Sequence, residues 1–221
     1  MDTPPTWLAA LRGRFLVFDG PDGSGKTTQF RWFAEFCRTN GETVTDVREP
    51  GGTAIGEQIR DILLDTANAD MSVRCEMLLY MASRAQLVEQ RIRPALERGE
   101  IVLADRFISS TLAYQGTAGG LSVEEILAVG RVAVGGLEPD LVVVFDVDER
   151  TAARRMGMLL DRMERKGAEF HRRVREGYLQ QVRDRPDRYV RVDAIADAEE
   201  VARRLHETIR RRFSESARVS R

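Results

Sequence analysis

The chain lacks long apolar runs and any excess of charge of one sign. Nothing in its 221 residues approaches the roughly 18 consecutive apolar residues that suggest a membrane-spanning helix. The N-terminal MDTPPTWLAALRG is acidic at its second residue and carries only a short apolar part, unlike a secretory leader. Lys and Arg number 34 against 35 Asp and Glu, a formal net charge of −1. The surface as a whole therefore has no electrostatic pull toward nucleic acid polymers, and any basic feature must be local. Cysteine is scarce: Cys37 and Cys75 match neither a metal spacing nor a disulfide framework, and both are expected to be buried structural thiols in a reducing compartment. No repeat, Gly/Ser linker or low-complexity stretch divides the chain. The expectation is one soluble cytoplasmic domain spanning 1–221, with no membrane contact and a polar tail, 213–221, frayed at its end.

The chain does contain a regular alternation. Five short runs rich in β-branched and aromatic residues, 14–19, 42–47, 100–105, 140–147 and 188–193, read as strands. Helical patterns fill the intervals at about 25–40, 54–65, 72–98, 107–115, 122–135, 149–158, 168–182 and 197–212. This order predicts an α/β fold, a five-stranded parallel sheet flanked by helices, with ligands at the carboxyl ends of the strands.

The first strand runs into GPDGSGKTTQ, residues 20–29. Glycines at 20 and 25 let the backbone curl so that successive N–H groups face inward at the start of the next helix, a nest for phosphate oxygens. Gly20, Pro21, Asp22, Gly23, Ser24, Gly25, Lys26, Thr27 and Thr28 are thus the candidate ATP-binding residues. Lys26 would reach the β and γ phosphates, and the Thr27 hydroxyl would meet Mg²⁺. The loop specifies a nucleoside triphosphate and no more.

The other strand ends narrow the choice. The second leads into REPGGTAIGEQIR (48–60), either a plain αβ turn or a substrate loop on the same rim. The third ends in ADRF, placing Asp105 as a second magnesium residue with Arg106 beside it. A GTPase would carry DxxG there and NKxD later; neither is present. Tyr80 and Arg84 are four apart on one predicted helix, as are Thr111 and Gln115 on another, so each pair shares a face. On spacing alone the first pair reads more readily as a core aromatic and a surface arginine at ordinary helical spacing.

Taken in order, FDGPDGSGKTTQ, REPGGT, YMASRAQ, DRFISSTLAYQG and LDRME resemble bacterial thymidylate kinases, from about residue 14 to 193. The resemblance implies a P-loop NTPase fold with a helical lid at about 150–170. It also implies transfer of the γ-phosphoryl group of ATP to dTMP, with Mg²⁺, a step in dTTP synthesis. In that family the position of Tyr80 stacks on thymine, Arg84 bonds its O4, Thr111 and Gln115 meet its N3 and carbonyl edge, and Tyr114 lies against C2′. Arg48 and Arg106 are the implied holders of the acceptor phosphate, and Asp22 lies near it. Lys26, Asp22 and Arg106 are the implied catalytic groups.

Between Arg150 and Arg175 nine Arg or Lys stand against three Asp or Glu. A solvated helix face explains such a run; so does a lid that supplies a cation. Gly23 stands where one branch of the family carries a catalytic arginine, so the chain resembles the branch that brings its arginine from the lid. Arg162, within LDRME, and Arg155 upstream are the candidates. The helix at 122–137 is apolar around much of its circumference, which fits a core helix and, by resemblance, a homodimer. A kinase for another nucleoside or nucleotide and a non-catalytic nucleotide-binding regulator are the alternative readings.

Overall fold

The computed structural model describes residues 5–155 and 161–219. A 3₁₀ turn at Thr6–Leu11 precedes five strands, β1 (Phe15–Asp19), β2 (Val44–Arg48), β3 (Ile101–Asp105), β4 (Leu141–Asp146) and β5 (Tyr189–Asp193). They form one all-parallel sheet in the order β2-β3-β1-β4-β5. Each observed strand lies within one or two residues of its sequence expectation: the buried inner strands read as continuous apolar runs, and the half-exposed edge strands β2 and β5 are marked by β-branched and aromatic residues. β1 is central and wholly buried.

Side chains of β1 alternate between two cores. Leu16 and Phe18 pack with Phe30, Phe33, Phe145 and Leu205 on one face, while Phe15 and Val17 pack with Val102, Val144, Phe107 and Tyr178 on the other. On the first face lie α1 (Lys26–Thr39) and the last helix, α9 (Ala198–Val219). On the other lie α3 (Val73–Leu87) with its continuation α4 (Arg93–Glu97), and α8 (Ala168–Asp184); α2 (Ala54–Leu64) packs outside α3. The short α5 (Ile108–Thr111), α6 (Val123–Val134) and α7 (Glu149–Arg155) complete the order.

Four local expectations are corrected. The predicted helix at 72–98 changes to a wider π-type turn over Val88–Ile92 before α4, just ahead of Pro94, whose nitrogen has no hydrogen for the ladder. The helix predicted at 107–115 likewise widens over Leu112–Ala118. The tail expected to fray from 213 is helical to Val219, with Phe213 buried against the first core. Cys37 is buried, its thiol pushed up to about 12 by burial, but Cys75 is exposed. It sits in the first turn of α3, where Glu76 and Met77 take the inward positions. The expected helix end at 156–158 and part of the expected lid lie outside the described residues.

Among the described residues no helix is long and apolar enough to cross a membrane. The register sets the working edge: Phe18 pairs with Asp105 on one side of β1 and Arg48 pairs with Asp105 across β3. The carboxyl ends of β1, β2 and β3 thus converge on one rim.

Candidate active site

The phosphate loop leaves β1 at Asp19 and ends at Gly25, which caps α1 in the left-handed region. Two of its glycines are required by close approach. A Cβ at Gly20 would stand 2.5 Å from the Phe145 carbonyl oxygen, and one at Gly23 2.5 Å from that of Ala152. Gly23 therefore has no room for an arginine: α7 runs against the loop at that point. That fits a chain whose extra cation comes from elsewhere.

Two cavities flank the loop. The first, of about 310 Å³, takes in Asp22, Arg48, Tyr80, Arg106, Tyr114 and Gln115, among others. The second, of about 430 Å³, runs along Gly23–Gln29 to Ala194, Ala196 and Arg155. Lys26 and Thr27 line both. The loop thus forms a partition between two pockets, with one lysine exposed to each.

Arg106 is the main cation of the first cavity. Its φ of 76° is the one positive value among the described non-glycine residues, a conformation that costs of order 1–3 kcal/mol and persists only where the surroundings fix it. The surroundings do so here. Its guanidinium donates to Asp22 at 2.5 Å, Ser110 Oγ at 2.9 Å, Tyr178 hydroxyl at 3.1 Å, the Gly20 carbonyl at 3.3 Å and Asp19 at 3.4 Å. Asp19, fully buried, also accepts from Ser109 at 2.6 Å, Ser110 at 2.8 Å and Tyr178 at 2.5 Å. Asp22 accepts from Tyr114 at 2.7 Å and lies 3.7 Å from Lys26. Burial alone would raise the Asp22 carboxyl, but Arg106, Lys26 and the Tyr114 hydroxyl hold it at about 2. It stays ionised and orients two cations toward the partition.

Arg84 is placed behind the cavity wall, not on it. It is 1% exposed and gives two hydrogens to Glu49, at 2.8 and 2.6 Å, while its third nitrogen reaches Thr111 Oγ1 at 3.2 Å. Burial pushes the Glu49 carboxyl up to about 7 against the pull of Arg84. The loop carrying Glu49 is tied down by its own chemistry: Ser83 accepts from the Gly51 N–H, Glu57 from the Gly52 N–H, and Thr53 caps α2 by accepting from Gly56 at 3.0 Å. Arg48 leans on Glu57 at 2.8 Å at the cavity mouth. Tyr80 is half-buried in the lining, and burial raises its hydroxyl well above the ordinary range.

Thr27 donates to Asp105 Oδ2 at 3.3 Å, while Asp105 Oδ1 is buried with no partner. A hydroxyl beside an unsatisfied carboxylate oxygen is the donor set that Mg²⁺ uses when phosphates and water complete its shell. The described residues hold no cluster of three His, Cys, Asp or Glu, which a phosphate-borne ion does not need.

The lid arginines go to different places. Arg155 lies at the mouth of the second cavity and donates to the carbonyls of Ala194 (2.8 Å), Ile195 and Ala196 (both 3.1 Å). Arg162, expected beside the transferring phosphoryl group, is instead 6% exposed and turned toward α2 and α3: Nε donates to Leu63 O at 2.7 Å and Nη2 meets Glu76 at 2.6 Å. The reason is local. Asp161 accepts from the N–H groups of Met163 and Glu164 while Glu164 accepts from that of Asp161, a reciprocal cap that rolls DRME into a turn. The end of α2, whose carbonyls favour a cation, receives the arginine.

Sequence reasoning missed Arg60, Glu76, Tyr178 and Lys166. Arg60 lines the first cavity and donates to the Pro50 carbonyl at 3.0 Å. Tyr178 comes from α8, far along the chain, and nothing in its neighbours marks it.

The "Thymidylate kinase" family model matches residues 18–205. Thymidylate kinase of Caldanaerobacter subterraneus subsp. tengcongensis is 47% identical over 188 residues, covering 85% of this chain and 90% of the relative. That of Symbiobacterium thermophilum is 47% identical over 204 residues, 90% and 95% of the two chains. That of Finegoldia magna is 43% identical over 200 residues, 90% and 98%.

Proposed function

The chain belongs to the thymidylate kinase family, and from that premise we propose how its two cavities divide the work of phosphorylating dTMP to dTDP with ATP. The observation that carries the reading is the shared wall: Lys26 and Thr27 face both cavities. A donor on the Arg155 side and an acceptor on the Arg106 side would meet there, the geometry that in-line phosphoryl transfer requires.

On the donor side the loop from Gly20 to Thr28 cradles the phosphates, and Ala194 and Ala196 border the space left for the base. On the acceptor side Arg106 and Arg48 hold the monophosphate. Asp22 keeps Arg106 and Lys26 in place until phosphate oxygens take over those contacts. Tyr80 offers a ring face to the base, and Thr111 and Gln115 meet its edge. Arg84 acts through Thr111 and the wall. Thr27, with Asp105 behind it, would hold Mg²⁺, which would supply charge neutralisation for the donor phosphates. The protein is proposed to be a cytoplasmic homodimer; Leu78 on α3 with Val123, Leu127 and Val132 on α6 are exposed apolar side chains that support a covered face.

We assign Arg155 to the donor and Arg162 to fastening the lid. Arg155→Ala is expected to lower kcat/KM for ATP about 10–100-fold with little change in KM for dTMP, the loss of a charged, oriented contact. Arg162→Ala is expected to raise KM for dTMP more than KM for ATP. Initial-rate kinetics with each substrate varied check both; the opposite pattern would return the donor role to Arg162.

The reading is tested by coupled ADP release with Mg·ATP, offering dTMP, dUMP, dCMP, dGMP and AMP in parallel. dTMP is expected to dominate. dUMP, lacking one methyl group, should fall behind by about 10–200-fold, and dCMP further. Equal kcat/KM for dTMP and dCMP would overturn the account of the base pocket, and no turnover of any acceptor would overturn the enzyme reading.

A further inference from the structure

Glu76 has no part in the roles described above, yet it is fully buried beside the acceptor cavity with three cationic or amide side chains aimed at it. Gln115 Nε2 donates to its Oε1 at 2.7 Å, Lys166 Nζ lies 3.1 and 2.9 Å from its two oxygens, and Arg162 Nη2 is 2.6 Å from Oε2. Gln115 comes from the acceptor wall; Arg162 and Lys166 come from the lid. Lys166 is further fixed by the Phe170 ring, 4.9 Å from its ammonium. We infer that Glu76 is a positioning residue that sets which end of the Gln115 amide faces the acceptor base and, through the same carboxylate, latches the lid over that base.

The inference rests on the proposed acceptor site and deepens it. A free glutamine amide can turn either end toward a ligand, since its oxygen and nitrogen ends are nearly equal in shape. An ionised carboxylate removes that freedom because it only accepts. Both Glu76 oxygens already accept from Lys166 and Oε2 meets Arg162, and the NH₂ group of Gln115 points at Oε1, which leaves its carbonyl for the cavity that Gln115 lines. A carbonyl there accepts from the N3–H of thymine or uracil. It meets the bare N3 acceptor of cytosine lone pair to lone pair, an arrangement that rejects the wrong base. The latch adds a second consequence. Arg162 and Lys166 tie the 161–166 stretch to Glu76, so the carboxylate that orients the reader is also the one that holds that stretch down.

The test is base selectivity. Glu76→Gln keeps the shape and removes the charge, and its own amide accepts either orientation of Gln115. The ratio of kcat/KM for dTMP over dCMP is expected to fall about tenfold or more, with the lid stretch 150–170 becoming more open to limited proteolysis in the presence of both substrates. Glu76→Asp, which keeps an acceptor-only group, should retain most of the ratio. Lys166→Met should loosen the lid without moving the ratio. A purely structural Glu76 would lower the melting temperature or scale both substrates together, leaving the ratio intact, and that result overturns the inference. Because Glu76→Gln leaves a buried arginine unpaired, the double variant Glu76→Gln/Arg162→Met is measured alongside, and its ratio must fall as well. The wild-type ratio separates the failures: no preference for dTMP in the parent protein ends both readings, whereas a preference that survives in the variants ends this one alone.

Discussion

Replacing Arg106 with alanine is expected to cut kcat/KM for dTMP about a thousandfold or more and to lower the melting temperature. One side chain carries both effects because, on the proposed reading, it joins the acceptor phosphate to the phosphate loop. Removing a single preorganised donor to a reacting group typically costs about 10²–10³ in rate, and here the loss also frees Asp22 and Lys26 to relax. Asp19 and Asp22 are left in a buried site without their cation, and breaking such a pair by removing one partner costs about 3–5 kcal/mol. Arg106→Lys should not rescue, since one ammonium cannot span six partners that a planar fork reaches. The acid limb of stability gives an independent readout. Asp22 sits at about 2 against an ordinary 3.8, so its contribution is present above about pH 4 and is lost as pH falls through 2. Without Arg106 the largest lowering influence disappears while burial still raises the group, so its folded-state pKa moves toward or past the ordinary value, and the variant, less stable at neutral pH, should lose little or none of the stability that the parent loses between about pH 4 and pH 2. Thermal melts across the acid range, with steady-state kinetics, check the pair of effects; a variant within tenfold of the parent and with the same acid limb would remove Arg106 from the acceptor site.

The route from sequence to site was legible where function is local and opaque where it is assembled. The phosphate loop could be read because its glycines, Lys26 and Thr27 are neighbours in sequence, and the strand–loop–helix context is short range. The inner strands β1, β3 and β4 were legible because burial on both faces leaves an unbroken apolar run, and the half-exposed edge strands β2 and β5 through their β-branched and aromatic residues. Arg84 was misplaced by the same local logic. Spacing put it on one helical face with Tyr80, but only packing against β2 decides that Glu49 claims its guanidinium behind the wall. Arg162 was misplaced for a related reason: LDRME announces a turn, yet its partners, Leu63 and Glu76, lie about ninety residues earlier. Tyr178 carries no sequence signal, because its hydroxyl matters only once α8 has been laid across the end of β1.

Lys26→Ala is expected to lower kcat by about three orders of magnitude while KM for dTMP changes little. Among the described residues Lys26 is the one cation that lines both cavities, so its ammonium lies where charge moves during transfer. An interaction of that kind grows as negative charge shifts between donor and acceptor oxygens, and a contact stronger in the transition state than in the ground state appears in kcat. Arg106, by contrast, is proposed to serve the acceptor in ground and transition states alike, and its loss is read in kcat/KM. The lysine is 8% exposed at the first position of α1, behind a left-handed Gly25. An arginine in that place is longer and presents a flat fork in a loop shaped around a compact ammonium, so Lys26→Arg should recover little. Raising Mg²⁺ should not compensate either, since the metal residues Thr27 and Asp105 are untouched by the change. Single-turnover measurements at saturating ATP and dTMP separate chemistry from release. A transfer rate within tenfold of the parent would mean that the partition between the cavities is closed by the metal and backbone alone, and that Lys26 serves to hold Asp22 in place.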